Sequence, residues 1–243
     1  MSEDERPALA MRLLRGFALT TGGVRAPLVW SAQRLLAYLA VQGHPVARNA
    51  IAGALWPNTV EARANASLRS SLFRVQRVSR ELVDTGPQYL AIAGSVEVDL
   101  WRAKADAVRL LDTTDPGAGI EGSATRDRLS ADLLPDWYGD EEWLRTEQEQ
   151  FRQLRLYALE ALCARLTAAR RFGEAVDAGL AAVRADPLRE SAHEVLVKAH
   201  LAAGNRWDAL SQYERCRRLL RDELGLAPSP ALRRLLPAHS ETV

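Results

Sequence analysis

A self-similarity of period 34 in the second half of the chain constrains its fold more than any other feature. With Ala175 set against Ala209, Leu162 falls on Leu196, Glu174 on Asp208, Val176 on Leu210 and Arg170 on Gly204. Such a period is the length of a unit made of two antiparallel helices. The small residue early in the second helix of each unit, Ala175 or Ala209, marks where two helices must approach closely. Ala182, Pro187 and Tyr213 take further positions of that repeat pattern. One unit cannot bury its apolar face alone, so two units with flanking helices predict a compact all-α domain rather than a long solenoid.

The first hundred residues follow another grammar. Residues 11–29 read as two strands around Gly22-Gly23, with Pro27 at an edge or strand end. Ser31 is placed to cap a helix carrying Leu35, Leu36, Leu39 and Ala40 at helical spacing, which Gly43 and Pro45 stop. A short helix over 47–55 buries Ile51, Ala54 and Leu55 and closes at Trp56-Pro57. A long helix over 61–82 follows, then a hairpin from Leu82 to Val98 around Gly86-Pro87 and Gly94. Strands, three helices and a hairpin, in that order, are the plan of a winged helix-turn-helix. The expected fold is therefore mainly α in two domains. An α+β winged helix covers 11–99, and an all-α helical-repeat domain covers 100–243 with a loop at 112–125. Residues 1–10 (MSEDERPALA) have three acids and no apolar run, which reads as a disordered N-terminus and not as a signal peptide.

Charge follows the same division. The chain has 243 residues and a net charge of +1. Residues 12–90 hold ten arginines against Glu61, Glu81 and Asp84, a net of +7, while residues 91–243 hold 21 bases against 25 acids, a net of −4. Only Lys104 and Lys198 are lysine, so the use of Arg reflects general composition. The scarcity of acids over 12–80 does not. A basic block on a compact domain attracts polyanions, nucleic acid above all.

On a helical wheel of about 100° per residue, Ala64, Leu68, Ser71, Leu72, Val75, Ser79 and Leu82 form the core arc of the 61–82 helix. The opposite arc carries Ala66, Arg69, Ser70, Phe73, Arg77 and Arg80, flanked by Arg63, Ser67 and Arg74. Arg reaches guanine O6 and N7 in a bidentate pair, Ser donates or accepts, and an apolar side chain meets the thymine methyl. Arg69, Ser70 and Phe73 are the expected base readers. Arg74, Arg77 and Arg80 are the expected phosphate contacts. Arg48 and Asn49 open the preceding helix, where side chain and helix N-terminus are available to the backbone. The competing reading is a solvated Arg-rich face with Phe73 packed on a neighbouring element. The wing, Leu82 to Leu90, has no base; Asp84 opposes phosphate there, and Tyr89 reads equally as core or contact.

Specific stretches carry a resemblance. They are Ser31–Ala40 (SAQRLLAYLA), Ala54-Leu55-Trp56-Pro57, Ala66-Ser67-Leu68-Arg69, Phe73-Arg74-Val75 and Leu133-Leu134-Pro135-Asp136-Trp137-Tyr138. Arg152-Gln153-Leu154-Arg155, Asp186-Pro187-Leu188-Arg189-Glu190 and Asp222 to Pro230 (DELGLAPSP) complete them. Over residues 12–236 the chain resembles the SARP-type (antibiotic regulatory protein) transcriptional activators. These pair an OmpR-like winged helix with a tetratricopeptide-like bacterial transcriptional activation domain (BTAD). The resemblance implies an activator of a secondary-metabolite gene cluster that binds promoter direct repeats in double-stranded DNA, contacts RNA polymerase, and pairs as a homodimer at least on DNA. It implies a bacterial cytoplasmic protein at the nucleoid, with no membrane, cofactor or metal. It assigns Arg69, Ser70, Phe73, Arg74 and Arg77 to the recognition helix. Gly86-Pro87-Gln88-Tyr89 departs from the family's Gly-rich, basic wing. That departure favours an alternative, a protein-interaction adaptor whose DNA binding is weak or lost.

No enzyme constellation emerges. His193 and His200 are seven apart, not the three or four that zinc wants on one helix, and read as packing or surface. Cys163 and Cys216 read as buried structural thiols, and two cysteines suit a reducing compartment. Asp136, Asp140, Glu141 and Glu142 read as acids opening a helix near 141. Trp137, Tyr138 and Trp143 read as core. There is no phosphate-binding loop and no nucleophile elbow.

Overall fold

The computed structural model describes residues 9–112, 114, 122–137 and 141–236. Strands β1 (Leu9–Arg12), β2 (Ala18–Thr21) and β3 (Val24–Arg25) open the chain, and Gly22-Gly23, both at positive φ, turn β2 into β3. Leu9 and Ala10 thus belong to the sheet, not to a disordered N-terminus; residues 1–8 lie outside the described residues. Helix α1 (Trp30–Gln42) follows. Its N-cap is Val29 with no side-chain cap bond, so Ser31 does not cap it as the sequence suggested. Gly43 ends it in the left-handed conformation at φ 67°, where a residue without Cβ carries no penalty.

Next come β4 (Val46–Ala47), α2 (Arg48–Leu55), α3 (Glu61–Gln76), β5 (Val83–Thr85), β6 (Tyr89–Ile92) and β7 (Glu97–Val98). The hairpin is β5–β6, joined by β4 into a three-stranded sheet with Val46 opposite Leu90. The sequence reading carried this hairpin to Val98. Instead β7 leaves it and pairs parallel to β1, Met11 opposite Val98, in a four-stranded sheet of order β3-β2-β1-β7. The reason lies at the next residue: the Asp99 carboxylate accepts from Leu13 N (2.8 Å) and Leu14 N (3.1 Å) and anchors the strand exit to β1. Burial holds the Asp99 carboxyl above its ordinary value, and these backbone donors offset only part of that rise.

The chain continues through α4 (Asp99–Leu111), α5 (Gly122–Leu129) and α6 (Glu142–Ala168). The expected loop at 112–125 is shorter at its end, because α5 starts at Gly122; residues 113 and 115–121 lie outside the described residues. Two compact units result: residues 1–102 with 131–151, and residues 103–130 with 152–243. The sequence reading placed 100–243 in one domain, whereas 131–151 packs with the first unit. There, Leu133 bridges Leu14, Leu134 N donates to Leu13 O, and Gln148 Nε2 donates to the Leu133 and Leu134 carbonyls. Trp143 meets Tyr38 edge-on at 5.2 Å between ring centroids, and Trp137 lies 4.5 Å from Trp30. Both indoles are packing residues, as their composition implied; Tyr138 and Asp140 lie outside the described residues.

The second unit is built from α7 (Phe172–Ala185), α8 (Glu190–Ala202), α9 (Arg206–Leu224) and α10 (Pro230–Arg233), with the C-terminal part of α6. The 34-residue register is visible in the backbone. Arg170 and Gly204 both sit at positive φ, 60° and 82°. Arg171 N donates to Leu166 O and Asn205 N to His200 O, each at 2.9 Å, at equivalent places after α6 and α8. Ala175 and Ala209 are fully buried, as close helix approach demands. Leu162, Cys163, Ala178 and Leu196 fill the core between α6, α7 and α8, and Cys216, Leu220 and Leu232 fill that between α9 and α10.

Candidate nucleic-acid interface

The expected reading helix is α3, preceded by α2 and the turn 56–60. Ala64, Leu68, Ser71, Leu72 and Val75 are buried, the arc their spacing defines. The helix does not run to residue 82. Arg77 is its C-cap, donating N–H to Phe73 O at 3.1 Å. Ser79 is extended, and its hydroxyl accepts from Glu81 N to start a short 3-10 turn, Arg80–Leu82. A serine that bonds neighbouring backbone competes with helix. The break also lets Leu82 bury fully before β5 begins. Arg77 therefore stands at the helix end and Arg80 beyond it.

Arg63, Ala66, Arg69, Ser70, Phe73 and Arg74 are exposed along α3, and Arg77 and Arg80 are exposed after it. Phe73 is 63% exposed, so it is not packed on a neighbour. Among the described residues, no carboxylate pairs with Arg63, Arg69, Arg74, Arg77 or Arg80. The two expected contacts on α2 differ from these. Asn49 is exposed, its Oδ1 accepting from Ala50 N. Arg48 is half-buried: its backbone N–H donates to Gln88 O at 2.9 Å, its Nη2 lies 3.3 Å from Gly86 O, and its Nε is buried without a partner. Arg48 thus holds the turn of the β5–β6 wing. Asp84 is exposed on that wing. Tyr89 is 43% exposed and lies over Gly86, where a Cβ would come within 2.2 Å of its ring.

One arginine of the basic block had no role in the sequence reading beyond its place in a helix motif. Arg34 pairs with Glu141 at 2.6 Å, donates to Leu55 O at 2.8 Å and lies 5.9 Å from the Trp56 ring centroid. It ties α1 to the end of α2 and to the segment opening α6. Its partners are 21 and 107 positions away, so no local signal marks it. Glu141 is accordingly an ion-pair partner that also accepts from Trp143 Nε1.

In the second unit several arginines pair with carboxylates. Asp106, buried, accepts from Arg128 Nε at 2.8 Å and also pairs with Arg109. Arg152 pairs with Asp186 at 3.0 Å and Arg189 with Glu160 at 2.6 Å. Glu190 accepts from Ser229 N, and Ser229 caps α10. The stretches 186–190 and 222–230 are thus structural joints. His193 is fully buried: its Nε2 lies 2.9 Å from Pro187 O and its Nδ1 2.7 Å from Gln212 Nε2. Burial holds both His193 and His200 below the ordinary imidazole value. Burial pushes the Cys163 thiol up to about 12 and Cys216 up to about 11. Among the described residues no three His, Cys, Asp or Glu side chains gather as a metal site, and no helix is long and apolar enough to cross a membrane.

The fold class is a mainly helical one, with a winged helix-turn-helix unit and a unit of paired helices. Residues 123–238 match the bacterial transcriptional activator domain family. The chain is 27% identical over 217 residues to the Regulatory protein AfsR of Streptomyces coelicolor, a match covering 83% of this chain and 21% of that protein. It therefore spans about a fifth of that relative's length. Among solved structures it is similar to Mycobacterium tuberculosis EmbR, in complex with low affinity phosphopeptide. The TM-score is 0.68 at 22% identity, over 94% of this chain and 64% of that one. These matches liken the chain to transcriptional regulators. The chain is thus similar to the SARP-type transcriptional activators that carry a bacterial transcriptional activator domain.

Proposed function

We propose that this chain is a sequence-specific DNA-binding activator that reads promoter direct repeats in double-stranded DNA through α3. The observation that carries the reading is a set of five exposed arginines, Arg63, Arg69, Arg74, Arg77 and Arg80, none with a carboxylate partner among the described residues. They flank an exposed Phe73. Keeping five like charges unpaired on one face destabilises a folded domain, and a polyanion offsets that cost. In this reading Arg69, Ser70 and Phe73 meet base edges, while Arg74, Arg77 and Arg80, with Arg63 and Asn49, meet phosphates. Arg48 acts by holding the wing. The family implies the rest: recruitment of RNA polymerase at a secondary-metabolite cluster, pairing of two copies on DNA, and a place in the bacterial cytoplasm at the nucleoid.

Selection of a binding site from random duplex DNA, followed by gel shift of wild type and Arg69→Ala, tests it. Expected is one enriched motif whose discrimination falls in the variant. Equal, weak binding of both proteins to every sequence refutes it. The wing favours a second reading, an interaction adaptor with lost DNA binding, because Arg48 is engaged and Asp84 exposed there. No enriched DNA motif, together with a stable protein partner in a pull-down, decides for that reading.

A further inference from the structure

The helical unit carries a groove along α9 and the residues after α10, which DNA reading does not use. Leu201, Leu210, Tyr213 and Leu235 are half-buried along it, and its volume is about 670 Å³. Ligand-sized sites run from about 300 to 1,000 Å³. Trp207 forms one wall with 77% of its surface exposed. An exposed indole beside a row of half-buried leucines is an apolar patch, and such patches mark interaction surfaces.

The rim is basic. Arg206, Arg217 and Arg233 line the groove. Glu214, the acid of the lining, is held by Arg217 at 2.7 Å. Among the described residues no carboxylate pairs with Arg206 or Arg233. Elsewhere in this unit arginines such as Arg128, Arg152 and Arg189 are matched to acids. Arg206 and Arg233 stand beside Trp207 and Tyr213, and Trp, Tyr and Arg are the residue types that carry most binding energy at interfaces.

We propose that this groove docks an acidic peptide segment of a partner protein. One apolar side chain of the segment seats against Trp207 over Leu210 and Tyr213. Carboxylates on flanking residues pair with Arg206 and Arg233 at the rim, where arginine forms bidentate pairs. A second copy of this chain fits less well, because a two-fold contact through this groove sets the same basic rim against itself. The proposal does not depend on α3 binding DNA.

The test pans a displayed library of random short peptides on the full-length protein, in the absence of DNA. Expected are clones in which Asp or Glu flank an aromatic or large aliphatic residue. A soluble fluorescent version of such a clone should bind Trp207→Ala at least about 30-fold more weakly than wild type. The double variant Arg206→Glu, Arg233→Glu should lose it and prefer the Lys-substituted peptide. All three side chains are exposed, so an unchanged unfolding midpoint confirms that the variants fold. Enrichment of neutral or basic clones, no enrichment, or binding indifferent to Trp207→Ala each overturns the proposal. So does a dimer in sedimentation that Trp207→Ala dissociates while acidic peptides fail to bind, which makes the groove a contact between copies.

Discussion

Two arginines five residues apart on α3 should respond to removal in different ways. Arg69 is assigned to a base edge and Arg74 to a phosphate, and both are exposed and free of a carboxylate partner among the described residues. Losing a bidentate base contact costs about 1–3 kcal/mol of discrimination against the wrong base. Arg69→Ala should therefore lose that much affinity on the selected site and little on scrambled duplex. Losing a phosphate contact weakens every sequence alike and lowers the slope of log K against log salt by about 0.9. The triple variant Arg74→Ala, Arg77→Ala, Arg80→Ala should lower it by about 2.7. A fourfold rise in salt then weakens wild type by about 40-fold more than it weakens the variant. Fluorescence anisotropy across a salt series, on both duplexes, reads both quantities. Equal losses for Arg69→Ala and Arg74→Ala on both duplexes, with unchanged slopes, refute the division of roles.

Three further outcomes follow from the helical unit. Cys163 and Cys216 are buried with thiols pushed up to about 12 and about 11, so neither should react with a disulfide reagent at pH 8 until the protein unfolds; fast native reaction contradicts their burial. Folded His193 and His200 titrate below the unfolded value, so the unfolded chain binds protons first as pH falls below about 6.5. Stability should fall from pH 7 toward 5, by at most about 1.4 kcal/mol per pH unit for each proton, and urea midpoints of His193→Gln should show a shallower fall than wild type. A Cβ at Gly179 would lie 3.1 Å from Leu196 and 3.2 Å from Cys163, so the larger Gly179→Val should cost about 1–3 kcal/mol by overpacking, read as a lower urea midpoint.

The parts of the fold that sequence revealed are those held by local or periodic signals. Gly43 stops α1 because a left-handed residue does so wherever it stands. The 34-residue register survives into backbone angles at Arg170 and Gly204, since each repeat solves the same turn. The missed features depend on partners far along the chain. The α3 helix looked continuous to residue 82 because Val75, Ser79 and Leu82 keep helical spacing. What ends it is the need for β5 to pair with β6, a tertiary demand that the wheel cannot carry. Likewise β7 reads as the tail of a hairpin until Asp99 is seen to bond Leu13 and Leu14, some 85 residues earlier. The return of 131–151 to the first unit rests on Leu133 and Leu134 meeting Leu13 and Leu14, again without a local mark.

The candidate interface shows the same boundary for charge. Composition places ten arginines in the basic block, but it cannot separate those spent on the fold from those held out to solvent. Arg34 is spent on Glu141 and Leu55, and Arg48 on the wing carbonyl of Gly86. Both sit at helix positions that a wheel would grade as surface, and burial with a distant acceptor is what distinguishes them. The arginines from Arg63 to Arg80 are exposed, and among the described residues none has a carboxylate acceptor. A paired guanidinium contributes mainly to its partner, whereas an unpaired one adds its full field to the surface. The net charge of the block thus overstates the field that a ligand meets at Arg34 and represents it fairly along α3. Arg206 and Arg233, exposed beside Trp207, stand out in the same way in the helical unit. Unpaired arginine beside an exposed aromatic side chain, Phe73 in one case and Trp207 in the other, is what locates both surfaces.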